Sequence, residues 1–248
     1  YRTISNICLD TEVLFATDLI ESEGQEKLIK NTDNVINLFI IDQYLFSKQT
    51  SFGNKWRNFI KLLFFPLQIF KIKSLKKTYP NAIFHAHTMY YMFISWLSNI
   101  DYIGSPQGDE ILIRPYKSKL YKYFSSKALK AAKYLIVDSI NLQNGIRKLS
   151  QKNADVIQYG IDVNTIKTFN NEQNKRSSIV SIRALYPLYR IKEIISARNS
   201  SLNKSQLILF YPYWEEAYKS QVDLLLNPLD KNLGRLQTKN EMYQILSD

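Results

Sequence analysis

The apolar positions of this chain fall into short runs separated by longer segments with helical spacing. Spans 12–17 (EVLFAT) and 35–41 (VINLFII) read as strands. The second is nearly continuous in apolar residues, which predicts burial on both faces and hence a parallel sheet flanked by helices. Residues 1–10 read as the end of a helix, 18–34 as irregular or helical, and 43–54 as a polar loop. Residues 55–77 follow as a helix that Pro66 is expected to break or kink.

The chain is organised around 81–110, NAIFHAHTMYYMFISWLSNIDYIGSPQGDE. It reads as a buried strand over 82–84, a loop carrying His85 and His87, a helix over 88–98, a strand over 101–103, and a polar turn Gln107-Gly108-Asp109-Glu110. His85 and His87 are the chain's two histidines. Tandem strand-to-loop transitions ending in polar residues are what a parallel sheet presents at the carboxyl ends of its strands, where open α/β folds bind ligands. The amino end of the intervening helix would add partial positive charge, suiting an anionic or hydroxyl-rich ligand. A histidine after a strand also serves as a plain capping residue, so the pattern alone leaves both roles open.

Further on, Leu120, Phe124, Ala128 and Ala131 recur at helical spacing within 117–132, with lysines between them. Strand 134–138 leads to Ser139 as a helix cap, then to a helix with Leu142, Ile146 and Leu149 on one face. Strand 155–158 ends in a turn with Asp162. Residues 164–177 are polar and read as a linker, which divides the chain into 1–165 and 176–248. Beyond it come strands 178–182 and 206–210, a loop 183–190, and helices 191–198 and 215–226. Two clear strands suggest a second domain only partly contained in the chain, just as the start suggests a missing first strand. The class is α/β with parallel sheets.

Net charge alters this picture more than composition does. Lys and Arg number 33 against 22 Asp and Glu, a formal +11. That excess suits nucleic acid, anionic membrane or phosphorylated substrates without choosing among them. Span 55–77 holds seven basic residues and no acid, interleaved with Trp, Phe, Leu and Ile. It reads either as a packed helix with a solvated basic face or as a surface helix resting on anionic headgroups. The lone Cys8 excludes an internal disulfide framework and a cysteine zinc cluster, and fits a reducing compartment. No apolar run is long enough to span a bilayer. Two histidines with scattered acids give no metal-binding pattern.

Four segments in order resemble the retaining glycosyltransferases of family four: NAIFHAH, GSPQGDE, the pair AAKYLIVDS and DVIQYGID, and SIVSIRALYPLYRIKEIISA. They span roughly 80–200. The resemblance implies a GT-B fold, two facing Rossmann-like domains: an acceptor-side domain and a domain that binds a nucleotide diphosphate sugar. It implies sugar transfer with retention to a glycan or lipid-linked acceptor, in polysaccharide or glycoconjugate biosynthesis, without metal or other cofactor. Catalytic candidates are then His85, His87, Asp109 and Glu110; Gln107 and Gly108 would line the acceptor side; Arg183, Tyr189 and Arg190 would hold the diphosphate. A cytoplasmic protein, peripheral at the cytoplasmic face of a membrane and without specific nucleic acid, is the matching expectation.

The chain departs from the family pattern in places. Gln107 stands where the family has His, and Tyr189 where it has Lys. Tyr211-Pro212-Tyr213 replaces a glycine-rich turn, and the family's glutamate pair would fall beyond Asp248. The 248-residue chain is therefore expected to be inactive alone. A GT-B epimerase or phosphorylase, and a basic nucleic-acid-binding protein, are the alternatives.

Overall fold

The structure is a computed structural model, and it describes residues 13–17, 35–38, 51–158, 160, 163–169, 178–201, 205–236 and 238–247. The readings of 1–10 and 18–34, the distal part of strand 35–41, most of loop 43–54, Cys8, Asp162 and the end of the linker lie outside these residues. The chain divides into two compact units, 1–159 and 160–248. Both are α/β with parallel sheets, a Rossmann-like arrangement.

In the first unit, Phe15–Thr17 (β1) and Val35–Asn37 (β2) pair in parallel. Both are half-buried, and in the run expected to be covered on both faces Val35–Asn37 is half-buried and Leu38 buried. Ser51–Thr78 is one helix (α1) that starts inside the supposed loop and runs unbroken through Pro66. Its inner side packs with Leu38 and Ile94 through Ile72. Among the described residues, four more strands form a parallel sheet in sequential order: Phe84–His87 (β3), Tyr102–Ser105 (β4), Tyr134–Val137 (β5) and Asp155–Val156 (β6).

The helices Met89–Leu97 (α2), Lys119–Ala131 (α5) and Ile140–Ser150 (α6) connect consecutive strands and pack side by side in that order, with α1 against α2. Short helices Gly108–Leu112 (α3) and Arg114–Lys117 (α4) precede α5. The core under this layer includes Ala86, Met92, Tyr102, Leu129, Leu135 and Ile146. Each of Met92, Leu129, Leu135 and Ile146 contributes on the order of 1.5–3 kcal/mol by leaving water. Gly104 permits the close approach of α2 to the sheet, since a Cβ there would stand 2.6 Å from Met92 Cε.

Several expectations shift. Strand β3 begins two residues later than predicted, because Ala82 belongs to a turn, its N–H donating to the Tyr79 carbonyl. Ile83 is 82% exposed, and His85 and His87 sit inside the strand rather than after it. Helix α5 buries Ser125, Ala128 and Leu129 and leaves Leu120 and Ala131 in water. The buried side is rotated from the predicted one: it keeps Ala128 but takes in Ser125 and Leu129 in place of Leu120 and Ala131. Helix α6 buries Leu142, Ile146 and Leu149 as its spacing predicts, and Ser139 caps it by accepting from the Leu142 N–H at 3.4 Å.

In the second unit, the supposed linker opens with a helix, Val163–Thr168 (α7). Among the described residues three parallel strands follow, Ile179–Ser181 (β7), Leu207–Leu209 (β8) and Lys231–Asn232 (β9), where two were predicted. Ile191–Ser200 (α8) and Glu216–Asp223 (α9) connect them, and Lys239–Ser247 (α10) ends the described chain. The core is Leu185, Ile191, Ile195, Leu207, Leu209 and their neighbours. A pair that the sequence did not suggest locks β9 in place. Arg198 donates twice to Asp230 at 2.6 Å, with side chains 4% and 0% exposed. The same carboxylate accepts the backbone N–H groups of Leu207 and Asn227.

Candidate functional site

Parallel pairing places His85 opposite Ile103 and His87 opposite Ser105. Residues two apart share a face of a strand, so the two imidazoles stand on one side of the sheet and Ala86 on the other, in the core. His85 Nε2 lies 2.7 Å from Ser105 Oγ. Sequence reasoning missed Ser105, which the register of two adjacent parallel strands brings there. Partial burial of its ring lowers the His85 pKa from 6.5, and the neighbouring His87 lowers it further. Burial lowers His87 also, against a contrary pull from Glu110. Both rings are therefore neutral near pH 7, so each offers one donor and one acceptor nitrogen and no fixed charge.

The turn out of β3 is strained. Thr88 has φ 82° and ψ 154°, a region that is close to glycine-only and unusual for a β-branched residue. Such a conformation costs on the order of 1–3 kcal/mol and persists only where the surroundings enforce it. Two hydrogen bonds do so here. The Thr88 N–H donates to the Ser105 carbonyl at 2.9 Å, and the Met92 N–H donates to the Thr88 carbonyl at 3.2 Å.

Gln107 to Glu110 form the first turn of α3 and not an open turn. Glu110 is buried, and its Oε2 accepts the Met89 N–H and the Gln107 N–H, each at 2.9 Å. One carboxylate thus caps the start of α2 and ties the two strand-end turns together. Its negative charge occupies the helix end that was expected to draw anions, so a neutral, hydroxyl-rich ligand suits this place better. Asp109 is exposed and pairs with Arg114, both contacts falling on Oδ2 at 2.7 and 2.9 Å. Gln107 and Gly108 are exposed beside it, and nothing lies within 4 Å of where a Gly108 Cβ would be. Tyr121, from α5, is pushed up to about 12 by burial first and by the Glu110 charge second. In the first unit, then, His85, His87 and 107–110 all come together at the carboxyl ends of β3 and β4.

The second unit gathers the other predicted residues. Arg183 follows β7 and lies with its guanidinium 5.8 Å from the centre of the Tyr189 ring. Hydrogen bonding to Tyr189, then burial, raises the Tyr213 phenol. Pro187–Tyr189 is a single 3-10 turn, and Arg190 ends it in the left-handed region at φ 52°, ψ 38°, immediately before α8. Arg183 and Arg190 are both exposed. A nearby cavity of about 290 Å³ is lined by Lys192 but also by Glu193 and Glu215, which makes it a poor place for a diphosphate. Among the described residues, no three His, Cys, Asp or Glu side chains cluster as metal ligands.

No protein-family model and no curated protein matches the chain. What the two groups can do follows from their chemistry. The first offers neutral imidazoles, an amide, a hydroxyl and one exposed carboxylate, a set that hydrogen-bonds hydroxyl groups. The second offers the exposed Arg183 guanidinium by the Tyr189 ring and an exposed Arg190 at the start of α8, and guanidinium groups bind phosphate oxygens.

Proposed function

We propose that the chain belongs to a retaining glycosyltransferase of the GT-B type, resembling family four. The first unit would bind the acceptor and the transferred sugar, and the second the nucleotide diphosphate. Support comes above all from the pair of strand-end turns joined by Glu110, with His85 and His87 on one face of adjacent parallel strands. Ligand sites in open α/β sheets lie at such carboxyl ends.

In the reaction, the bond between the anomeric carbon and the diphosphate breaks, its electron pair leaving with the phosphate oxygen. A bond forms from the acceptor hydroxyl oxygen to that carbon, and the hydroxyl proton is released. Negative charge grows on the diphosphate, and Arg183 with Arg190 would stabilise it. Neutral His85 and His87 would hold hydroxyl groups of the sugar or acceptor. Asp109, held by Arg114 through Oδ2, would orient the acceptor hydroxyl.

Calorimetric titration with nucleoside diphosphates and their sugar esters tests this. Saturable binding of one nucleotide is expected, weakened about 10- to 100-fold by Arg183→Ala, the worth of a charged hydrogen bond. Binding of RNA oligomers with steep salt dependence, and none of any nucleoside diphosphate, would favour a nucleic-acid-binding protein instead.

A further inference from the structure

Among the described residues, the outer sides of α1 and α5 in the first unit carry apolar and basic side chains and no acid. On α1, Phe59, Leu63, Pro66, Phe70, Lys73 and Lys77 follow one another at alternating four- and three-residue spacing, which lines them along one stripe of the helix. The side chains are exposed: Leu63 keeps 56% and Phe70 68% of its surface in water. The opposite side of α1 holds the buried Ile60, Gln68 and Ile72, so both sides of this helix carry apolar residues, and among the described residues it is this opposite side that packs into the core. Lys73 and Lys77 at the end of the stripe are exposed, as are Lys55 and Lys71 elsewhere on the helix. Lys61 and Lys76 turn back onto the protein: Lys61 lies 4.7 Å from the Tyr90 ring centre, and Lys76 donates to the Pro80 carbonyl at 2.6 Å.

Helix α5 repeats the theme. Leu120 and Tyr123 are exposed on the side away from its buried Ala128 and Leu129, among Lys119, Lys127 and Lys130. Between α1 and α5 lies α2, which has no charged residue. Spans 55–77 and 117–130 hold seven and five basic residues respectively, and no Asp or Glu. A solvated face normally mixes both signs. Here the acids are excluded where aromatic and aliphatic side chains are exposed.

We infer that this face, α1 with α5, lies flat on an anionic lipid bilayer. Phenylalanine and leucine would enter the headgroup boundary while the lysines meet lipid phosphates. Charge complementarity selects this occupant over a second copy of the chain, whose own face would be equally basic. Helix α1 is about 42 Å long at 1.5 Å per residue, yet among the described residues no helix is long and apolar enough to cross a membrane. The helix therefore rests on the surface. Such docking would bring the chain to a lipid-linked acceptor, but it does not depend on sugar transfer, and its test needs no nucleotide.

Vesicle flotation of the 248-residue chain is the test, with phosphatidylcholine alone and with phosphatidylcholine mixed with phosphatidylglycerol. Capture by the mixed vesicles only, reduced by salt, is expected. Each lysine near such a surface is worth roughly a factor of five at low salt. The combined variant Lys55→Gln, Lys71→Gln, Lys73→Gln, Lys77→Gln should thus bind at least tenfold more weakly. A second variant, Leu63→Ser with Phe70→Ser, should lose the fraction that resists salt. Circular dichroism melts of both variants should match the parent, since the changed side chains are exposed. Equal capture by both vesicle types, no capture, or unchanged capture by the two variants overturns the inference. So does a serine variant that alters the oligomeric state in size-exclusion chromatography and leaves flotation unchanged, or a glutamine variant that loses polyuridylate binding while vesicles capture neither protein.

Discussion

Thr88 provides a test in which the expected sign is opposite to the ordinary one. At most positions alanine is more stable than glycine by about 0.4–1 kcal/mol, because glycine has more freedom to lose on folding. At φ 82°, ψ 154° the Cβ of any other residue is strained by roughly 1–3 kcal/mol. Thr88→Ala removes the hydroxyl and methyl but keeps the Cβ and hence the strain. Thr88→Gly removes the strain as well. The difference of the two terms leaves glycine more stable than alanine by about 1 kcal/mol, within a range from near 0 to about 2.5. For a protein of this size that is roughly 2–4 °C in melting temperature. Urea unfolding with both variants gives the comparison without needing the parent as reference. Alanine more stable than glycine by the usual margin would refute the claim that this turn is held in a strained state. The strain should also serve the site: with glycine, the end of β3 loosens, and ligand affinity falls although stability rises.

Replacing His87 by Gln removes a charge that lowers its neighbour, so the His85 titration followed by NMR should move upward; no movement would mean that the rings do not sense each other. Because both folded pKa values lie below 6.5, any activity that needs neutral imidazoles should be lost on the acid side of that value, and in the full-length enzyme His85→Ala or His87→Ala should cut turnover far more than melting temperature. Glu110→Ala leaves two buried amides unpaired and should cost about 2–5 kcal/mol in denaturant unfolding, with Glu110→Gln milder because an amide oxygen still accepts. For Asp230, burial alone would raise the carboxyl, but the Arg198 hydrogen bonds and the Asn227 and Leu207 amides outweigh it and hold it below 3.8. The stability it contributes is thus complete above pH 3.8 and lost as the pH falls through the folded value, and Arg198→Met, which strands the carboxylate, should cost roughly 3–5 kcal/mol at neutral pH.

The alternation of strands and helices was legible because β4, β5, β7 and β8 are apolar runs of the length that a covered parallel strand needs. Strand phase was less so. Nothing in Ala82-Ile83-Phe84 says that the ladder starts at Phe84, since that choice is made by register with Tyr102–Ser105. Strand β9 is two exposed polar residues, Lys231 and Asn232, placed by the Asp230 anchor from outside itself. Of the apolar stripe predicted on α5, Ala128 is buried, but Leu120, Phe124 and Ala131 are exposed while Ser125 and Leu129 are covered, a rotation that packing against the neighbouring helices decides. In the site, Gln107-x-x-Glu110 did carry a signal, a glutamate three residues after a helix start. That its carboxylate would also cap α2 depends on three-dimensional closeness and could not be read. Nor could the Thr88 conformation, because threonine in sequence suggests a strand or cap, not a left-handed turn.

The central claim is best tested by mapping a nucleotide diphosphate sugar onto the backbone amide resonances of the 248-residue chain. The account predicts saturable shifts concentrated at Arg183, Tyr189 and Arg190, abolished by Arg183→Ala, with a hydroxyl-rich acceptor analogue shifting His85, His87 and Gln107 to Glu110. Shifts spread over the lysines of α1 and α5 and scaling with salt, or none at 183–190 for any nucleotide diphosphate sugar, would contradict it.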